Sequence, residues 1–257
     1  MRNLKPFEEF SNLKLLNGAI LLGDCHDGTS RKGFWDFLQA LEKDEIKTPQ
    51  LILMGDIFDV LVGEIKPTHE FAKPYIALLE RLCDKMQIIY LEGNHDFNLA
   101  SLFQKVKIIP LQNQPLKLRL HTSKGEFAFF SHGDIFLAPF LQFLLKTLRN
   151  HYLLVFLNCL NFLSFNFLMK MILKKQLKKN LFFKIENFEI LARKRYKRYG
   201  KIGAWVCEGH YHQNLILDEE NMKYINLPSF AYERSFFVVE CTDKIKFQEQ
   251  KLRGQNV

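Results

Sequence analysis

In Gln87-Ile88-Ile89-Tyr90-Leu91-Glu92-Gly93-Asn94-His95-Asp96 an apolar run of strand length stops at a glycine turn that carries three polar residues. Such a run is expected to be a buried strand, and the turn behind it to aim Asn94 and His95 into a cleft above a sheet. Asparagine offers a neutral oxygen to a metal, and a histidine beside it serves as proton donor or electrophile near neutral pH. One Gly-Asn turn is also a common loop, so the weight of the reading depends on what the rest of the chain places beside it.

The same pattern recurs upstream. Gly18 to Leu22 is a short apolar run ending at Gly23-Asp24-Cys25-His26-Asp27-Gly28. Asp24 and His26 lie two residues apart, on one side of an extended backbone, where a carboxylate and an imidazole can grip one ion. Arg31 to Leu41 has apolar residues at 34, 37, 38 and 41, which predicts a helix. The run from Leu51 then closes on Gly55-Asp56-Ile57-Phe58-Asp59. A helix across about 68 to 86, starting or kinked at Pro74, leads back to Gln87. The sum is β-α-β-α-β, and ligands of such sheets lie outside the carboxyl ends of the strands, where Asp24, His26, Asp56, Asn94 and His95 all fall.

Downstream, Leu116 to His121 and Glu126 to Phe130 flank Thr122-Ser123-Lys124-Gly125, a hairpin signal, and the second strand ends at Ser131-His132-Gly133-Asp134. Ala204 to Cys207 leads to Glu208-Gly209-His210-Tyr211-His212, with two imidazoles on one face of an extended segment. Further strands are expected at Leu215 to Leu217, Lys223 to Leu227, Phe236 to Glu240 and Lys244 to Phe247, with turns at Glu219-Glu220-Asn221 and Thr242-Asp243. His69, His121 and His151 belong to no such block and read as ordinary surface or core residues.

The 257 residues, 47% of them hydrophobic, are enough for a sizeable core and are read as a single domain, 1–257, with a segment inserted at 135–200. The chain uses Phe 25 times, so some apolar bulk is expected to meet something other than core. A formal charge of +8 favours an anionic partner. Five scattered cysteines without a Cys-x-x-Cys pair argue for a reducing compartment and against a disulfide framework or a zinc knuckle. Met1 to Phe10 shows no signal-peptide pattern, so a cytoplasmic location is expected.

Within the insertion, Tyr152 to Leu173 is a 22-residue run whose one charge is Lys170. Its length would span a bilayer. A span would separate His132 from His210, which must reach the same site, and Asn158, Asn161 and Asn166 add to the cost. The expected form is an apolar helical cap over the cleft that dips into a membrane surface or holds acyl chains. From Lys170 to Lys201 there are twelve Lys or Arg against Glu186 and Glu189, a local balance of +10. Basic residues beside an apolar face suit an anionic lipid surface, which is the partner expected for residues 150–200; nucleic acid would have no use for the uncharged run.

In the order Asp24-x-His26, Gly55-Asp56, Gly93-Asn94-His95-Asp96, His132 and Gly209-His210-x-His212, the five blocks resemble those of the calcineurin-like metallophosphoesterases, and the resemblance covers all but the insertion. It implies an α/β fold, a four-layer α-β-β-α sandwich, with the insertion as a cap. It also implies two divalent ions, one held by Asp24, His26 and His212 and the other by Asn94, His132 and His210, with Asp56 bridging. Ions about 3.5 to 4 Å apart neutralise a phosphoryl group and activate water for in-line attack. Mixed nitrogen and oxygen donors without thiolate suit Mn²⁺, Fe or Zn²⁺, with Mn²⁺ expected. His95 is then the general acid or leaving-group stabiliser, with Asp96 orienting it.

Within that superfamily the chain is most similar to the UDP-2,3-diacylglucosamine pyrophosphatases of lipid A synthesis. The resemblance implies cleavage of a lipid-linked sugar nucleotide to UMP and 2,3-diacylglucosamine 1-phosphate by a peripheral enzyme of the inner membrane, with no protein partner. Two positions depart from that pattern: His95 stands where those enzymes commonly carry Arg, and Tyr211 where they carry Thr. A phosphoesterase of nucleotides or nucleic acids and a non-catalytic membrane-associated scaffold on the same fold are the alternatives, and no substrate-contacting residue is assigned.

Overall fold

A computed structural model describes residues 13–120, 127–177, 180–200, 202–241 and 245–252. The hairpin turn expected at Thr122 to Gly125, the turn at Thr242-Asp243, His121, Lys178, Lys179, Lys201 and the segment Met1 to Phe10 lie outside these residues. The elements in chain order are β1 (Lys14–Leu15), β2 (Ile20–Leu22), α1 (Gly33–Glu42), β3 (Gln50–Leu53), β4 (Leu61–Val62), α2 (His69–Leu82), β5 (Gln87–Leu91), β6 (Asp96–Phe97), β7 (Lys107–Ile109), β8 (Leu116–Leu120) and β9 (Phe127–Ser131). They continue with α3 (Pro139–Leu148), α4 (His151–Leu163), α5 (Phe167–Leu177), α6 (Phe188–Arg198), β10 (Trp205–Glu208), β11 (Leu215–Glu219), β12 (Met222–Asn226), α7 (Phe230–Glu233), β13 (Ser235–Cys241) and β14 (Ile245–Lys251).

Two six-stranded sheets form the centre, ordered β14-β13-β2-β3-β5-β7 and β1-β8-β9-β10-β12-β11. In the first, β2, β3, β5 and β7 run parallel, with Leu21 opposite Ile52 and Ile52 opposite Ile89. In the second, β9, β10 and β12 run parallel, with Phe130 opposite Cys207. Period-two alternation divides their side chains between layers. Leu22, Leu53 and Tyr90 pack under α1 and α2 with Phe34, Phe37 and Tyr75. Leu21, Ile52 and Ile89 point the other way and meet Leu118, Phe130, Cys207 and Ile225 of the second sheet. Phe129, Val206 and Tyr224, on the far face of that sheet, pack against Phe188, Ala192 and Tyr196 of α6. The layers are therefore helix, sheet, sheet, helix. Strands buried on both faces must be apolar throughout, which is why β3 and β5 stand out as uninterrupted runs.

Local departures from expectation have local causes. The second helix starts at His69 and carries Pro74 inside it, so Pro74 does not begin it. Residues 152–173 are not one helix: α4 and α5 meet at Ser164, Phe165 and Asn166, the last two with φ of 52° and 62°. Asn161, whose polarity counts against membrane insertion, is the buried pivot of this corner; its amide donates to Asn166 Oδ1 at 2.9 Å and accepts from Met169 N at 2.9 Å. Among the described residues no helix is long and apolar enough to cross a membrane. The insertion rests on the body through Leu154 and Met169, packed on Val62 and Ile65 beside the small β4–β6 pair.

Candidate metal centre

The carboxyl ends of β2, β3 and β5 lie side by side, and their loops continue as a backbone ribbon. Asp24 N donates to Gly55 O, His26 N to Asp56 O and Asp27 N to Ile57 O, at 3.0, 3.0 and 2.9 Å. The third turn closes over Asp56, since a Cβ on Gly93 would lie 2.3 Å from Asp56 Oδ1 and 2.5 Å from Asp56 N. Only glycine permits that approach. β9 and β10 deliver His132, His210 and His212 from the second sheet to the same point.

Asp24, His26, Asp56, His210 and His212 all have left-handed backbones, with φ of 53°, 44°, 52°, 66° and 57°. Each costs roughly 1–2 kcal/mol for a residue with a Cβ, and such strain gathers where function requires it.

The side chains converge. Asp24, His26 and His212 have donor atoms within 4.8 Å of one another, and so do Asp56, His132 and His210; His26 and Asp56 also group with His95. His212 Nε2 lies 3.0 Å from Asp24 Oδ1, His132 Nε2 lies 3.1 Å from Asn94 Oδ1 and 3.5 Å from Asp56 Oδ1, and His26 Nε2 lies 3.9 Å from Asp56 Oδ2. These are the edge lengths that ligands about 2.1 Å from a common ion produce. The donor set is buried except for the half-buried Asn94 and His210, mixes imidazole and oxygen, and brings Asp56 near both halves, so it fits two divalent ions.

The buried charges act on one another. Burial works against the charge of Asp56, yet His132, His95 and His26 hold its carboxyl well below the usual range. Burial would lower His132, but Asp56 overrides it and lifts the imidazole to about 10. Burial and then the neighbouring His132 press His210 down to about 3.

Asp96 plays a different part from the orienting role expected of it. Its Oδ1 accepts from Asp56 N and Gly93 N, both at 2.9 Å, and its Oδ2 accepts from Ile57 N at 2.6 Å and the Tyr90 hydroxyl at 2.5 Å. It locks the Asp56 turn against the Gly93 turn. The His95 ring is set by Asp59, whose carbonyl lies 2.9 Å from Nδ1, while Nε2 faces Asp56 Oδ2 at 3.9 Å. Asp59 is itself paired with Arg31. His69 and His151 lie apart from the centre, on Val62 O and Glu64.

The sequence from residue 19 to residue 214 matches the model of the calcineurin-like phosphoesterase family. The chain belongs to the calcineurin-like phosphoesterases. Its relatives include the UDP-2,3-diacylglucosamine hydrolase of Aeromonas salmonicida, 32% identical over 121 residues, which are 46% of this chain and 45% of the relative. The proteins of that name from Shewanella loihica and Nitrosococcus oceani are each 28% identical over 120 residues, covering 46% and 45% of this chain and 48% and 46% of the relatives. The chain thus aligns with about half the length of the curated relatives it matches.

Spacing along the chain does not reveal Asp59, Arg149, Arg195 or Glu208 as parts of the site's framework. Asp59 and Glu208 do stand in or beside the blocks, within Gly55 to Asp59 and directly before Gly209, and their carboxylates there are the one signal in the sequence. The arginines come from the insertion and give none.

Proposed function

We propose that this phosphoesterase hydrolyses the pyrophosphate bond of UDP-2,3-diacylglucosamine at the membrane surface, releasing UMP and 2,3-diacylglucosamine 1-phosphate, with Mn²⁺ as the native ion. The observation that carries this reading is a cavity of about 490 Å³ between body and insertion. Asn94 and His95 stand in its wall, and the rest is largely apolar: Val62, Leu148, Leu154 and Met169 among others. A chamber of this kind opening beside a phosphoryl-transfer centre suits a substrate whose lipid part adjoins the reacting phosphate. A free nucleotide would leave those walls without a partner.

Asp24, His26 and His212 would hold one ion, Asn94, His132 and His210 the other, and Asp56 would be shared. When bound, the ions supply Lewis-acid stabilisation and an activated water. The chain's own contribution begins with His95: Asp59 O fixes Nδ1, and Nε2, which faces Asp56, would hold or deliver a proton at the leaving oxygen. Asp96 keeps Asp56 in place through the backbone of both turns. Burial of the donors keeps bulk water out of the charge balance.

The corner between α4 and α5 supports a membrane-surface location. Phe162 and Phe165 are 77% and 88% exposed, with Leu163 and Phe167 beside them and Lys170, then Lys174 and Lys175, exposed further along α5. Aromatic side chains below a rim of lysines suit an anionic bilayer. Part of the basic segment serves other ends: Arg193 pairs with Glu189 and Glu219, and Arg195 is buried against Glu208.

The test compares the diacylated sugar nucleotide with its deacylated counterpart on Mn²⁺-loaded protein. At least a hundredfold preference in kcat/KM for the diacylated substrate is expected. Equal turnover of the two would remove the lipid from the reading.

A further inference from the structure

Two arginines of the inserted segment frame one half of the metal centre. Arg149, just past α3, donates through Nη2 to Gly93 O at 2.7 Å and to Asp134 Oδ2 at 2.9 Å. Gly93 precedes Asn94, and Asp134 lies two residues beyond His132, so one guanidinium ties together two of the loops that carry donors. Arg195, on α6, donates to both oxygens of Glu208 at 2.7 Å and to Gly133 O and Ile135 O at 2.9 and 3.0 Å. Glu208 lies two residues before His210, and Gly133 follows His132. The two side chains are 10% and 5% exposed, and the hydroxyls of Tyr199 and Tyr224 complete the shell around Glu208. Arg149 thus fastens the loops of Asn94 and His132 to the end of α3 in the insertion, and Arg195 fastens those of His132 and His210 to α6, the outer helix layer of the sandwich.

The other half is fastened to the body. Asp24 and His26 lie on a loop paired backbone to backbone with the Asp56 loop, and Arg31 Nε holds His26 O at 2.9 Å. The insertion reaches this half through the carbonyl of Leu181, 2.9 Å from His212 Nδ1. A planar guanidinium fixes two or three acceptors at once in a geometry an ammonium does not reproduce. Partners that orient ligands without touching the ion typically change metal affinity by about 10- to 100-fold.

We infer that Arg149 and Arg195 are positioning residues for the ion held by Asn94, His132 and His210. Arg149 acts on that site alone, while Arg195, through Glu208, also holds the loop that carries His212. This inference rests on the dinuclear reading of the centre.

The experiment is a calorimetric titration of chelator-stripped protein with Mn²⁺, accompanied by electron paramagnetic resonance at two equivalents of metal. Wild-type protein is expected to show two sites and an exchange-coupled pair. Arg149→Met is expected to keep one site within about threefold of wild type and to weaken the other about 10- to 100-fold, so that an isolated-ion signal replaces the coupled one, whereas Arg195→Lys is expected to weaken both sites, since Glu208 leads into the loop of His210 and His212. In an Asn94→Ala background the Arg149→Met effect is expected to shrink to the part exerted on His132 through Asp134. In Arg149→Met, two unaltered sites, parallel weakening of both, or a full further loss on top of Asn94→Ala would each overturn the inference. A wild-type protein that takes up fewer than two ions would remove the dinuclear reading itself. Arg149→Met leaves the Glu208 cluster intact and so decides the matter even where Arg195→Lys fails to fold.

Discussion

Phe34, Phe37, Phe58, Phe230 and Phe236 lie buried in the body, whereas Phe140, Phe143, Phe156, Phe162, Phe165 and Phe167 of the insertion stand in solvent. One residue type does two jobs within one chain. In the body the rings pack edge to face, as Phe37 does with Phe230 and Phe236 at 5.8 and 5.3 Å, and they hold α1 and α7 against the sheet. In the insertion they leave an apolar surface that the protein itself does not cover, the mark of a surface kept for something else. The difference separates rings that keep the fold from rings the fold does not use, and substitutions in the two regions should diverge accordingly.

The largest effect is expected at the centre. Asp56→Ala should lower turnover of bis-p-nitrophenyl phosphate by about 10⁴-fold, about 5 kcal/mol in the barrier, in a protein that still folds; near-normal turnover would remove Asp56 from the metal centre. Phe37→Ala should destabilise the body by about 3–5 kcal/mol in urea unfolding, the usual cost of emptying a buried aromatic site. A loss under about 1 kcal/mol would erase the contrast between the buried and the exposed rings.

Asp27→Ala is expected to cost about 1–2 kcal/mol. Lys32, the residue before α1, makes no side-chain cap, and Asp27 caps the helix from a distance by accepting from Phe34 N and Trp35 N, with the Tyr75 hydroxyl as a third donor. Burial raises its carboxyl to about 7 in the fold. A raised carboxyl stabilises the fold fully below its unfolded value and loses that contribution as pH rises through about 7. The deficit of Asp27→Ala should therefore be larger at pH 5 than at pH 8, and a deficit that grows with pH would contradict the assignment.

The smallest effect on stability should come from the insertion. Phe162→Ser with Phe165→Ser should leave unfolding within about 0.5 kcal/mol of wild type. The same pair should weaken binding to anionic vesicles by at least about tenfold, since each ring contributes roughly 1.5–3 kcal/mol when buried in lipid. Unchanged vesicle binding would return these rings to the class of incidental exposed residues.

The contrast also explains what the sequence discloses. β2, β3, β5, β9 and β10 are buried on both faces, so each reads as an apolar run, and its glycine turn marks where polar donors begin. Asp24, His26, Asp56, Asn94, His132, His210 and His212 are legible for that reason. The corner at Ser164 to Asn166 carries no glycine or proline, and its left-handed residues are stabilised by Asn161, several positions earlier. Arg149 and Arg195 reach partners 56 and 60 to 62 residues away, and no periodicity encodes such a bond. The role of Asp96 was hidden because its acceptors serve backbone amides, which every residue has.

The left-handed backbones at the centre bear on how this protein could change over time. At Asp24, His26, Asp56, His210 and His212, glycine would relieve the torsion that the present side chains carry. Under the proposed metal assignment, replacement there would trade a ligand for stability, the exchange that commonly accompanies a gain in stability at an active site. A lineage released from catalysis should accumulate glycine first at these five positions, while the apolar runs leading into them stay unchanged.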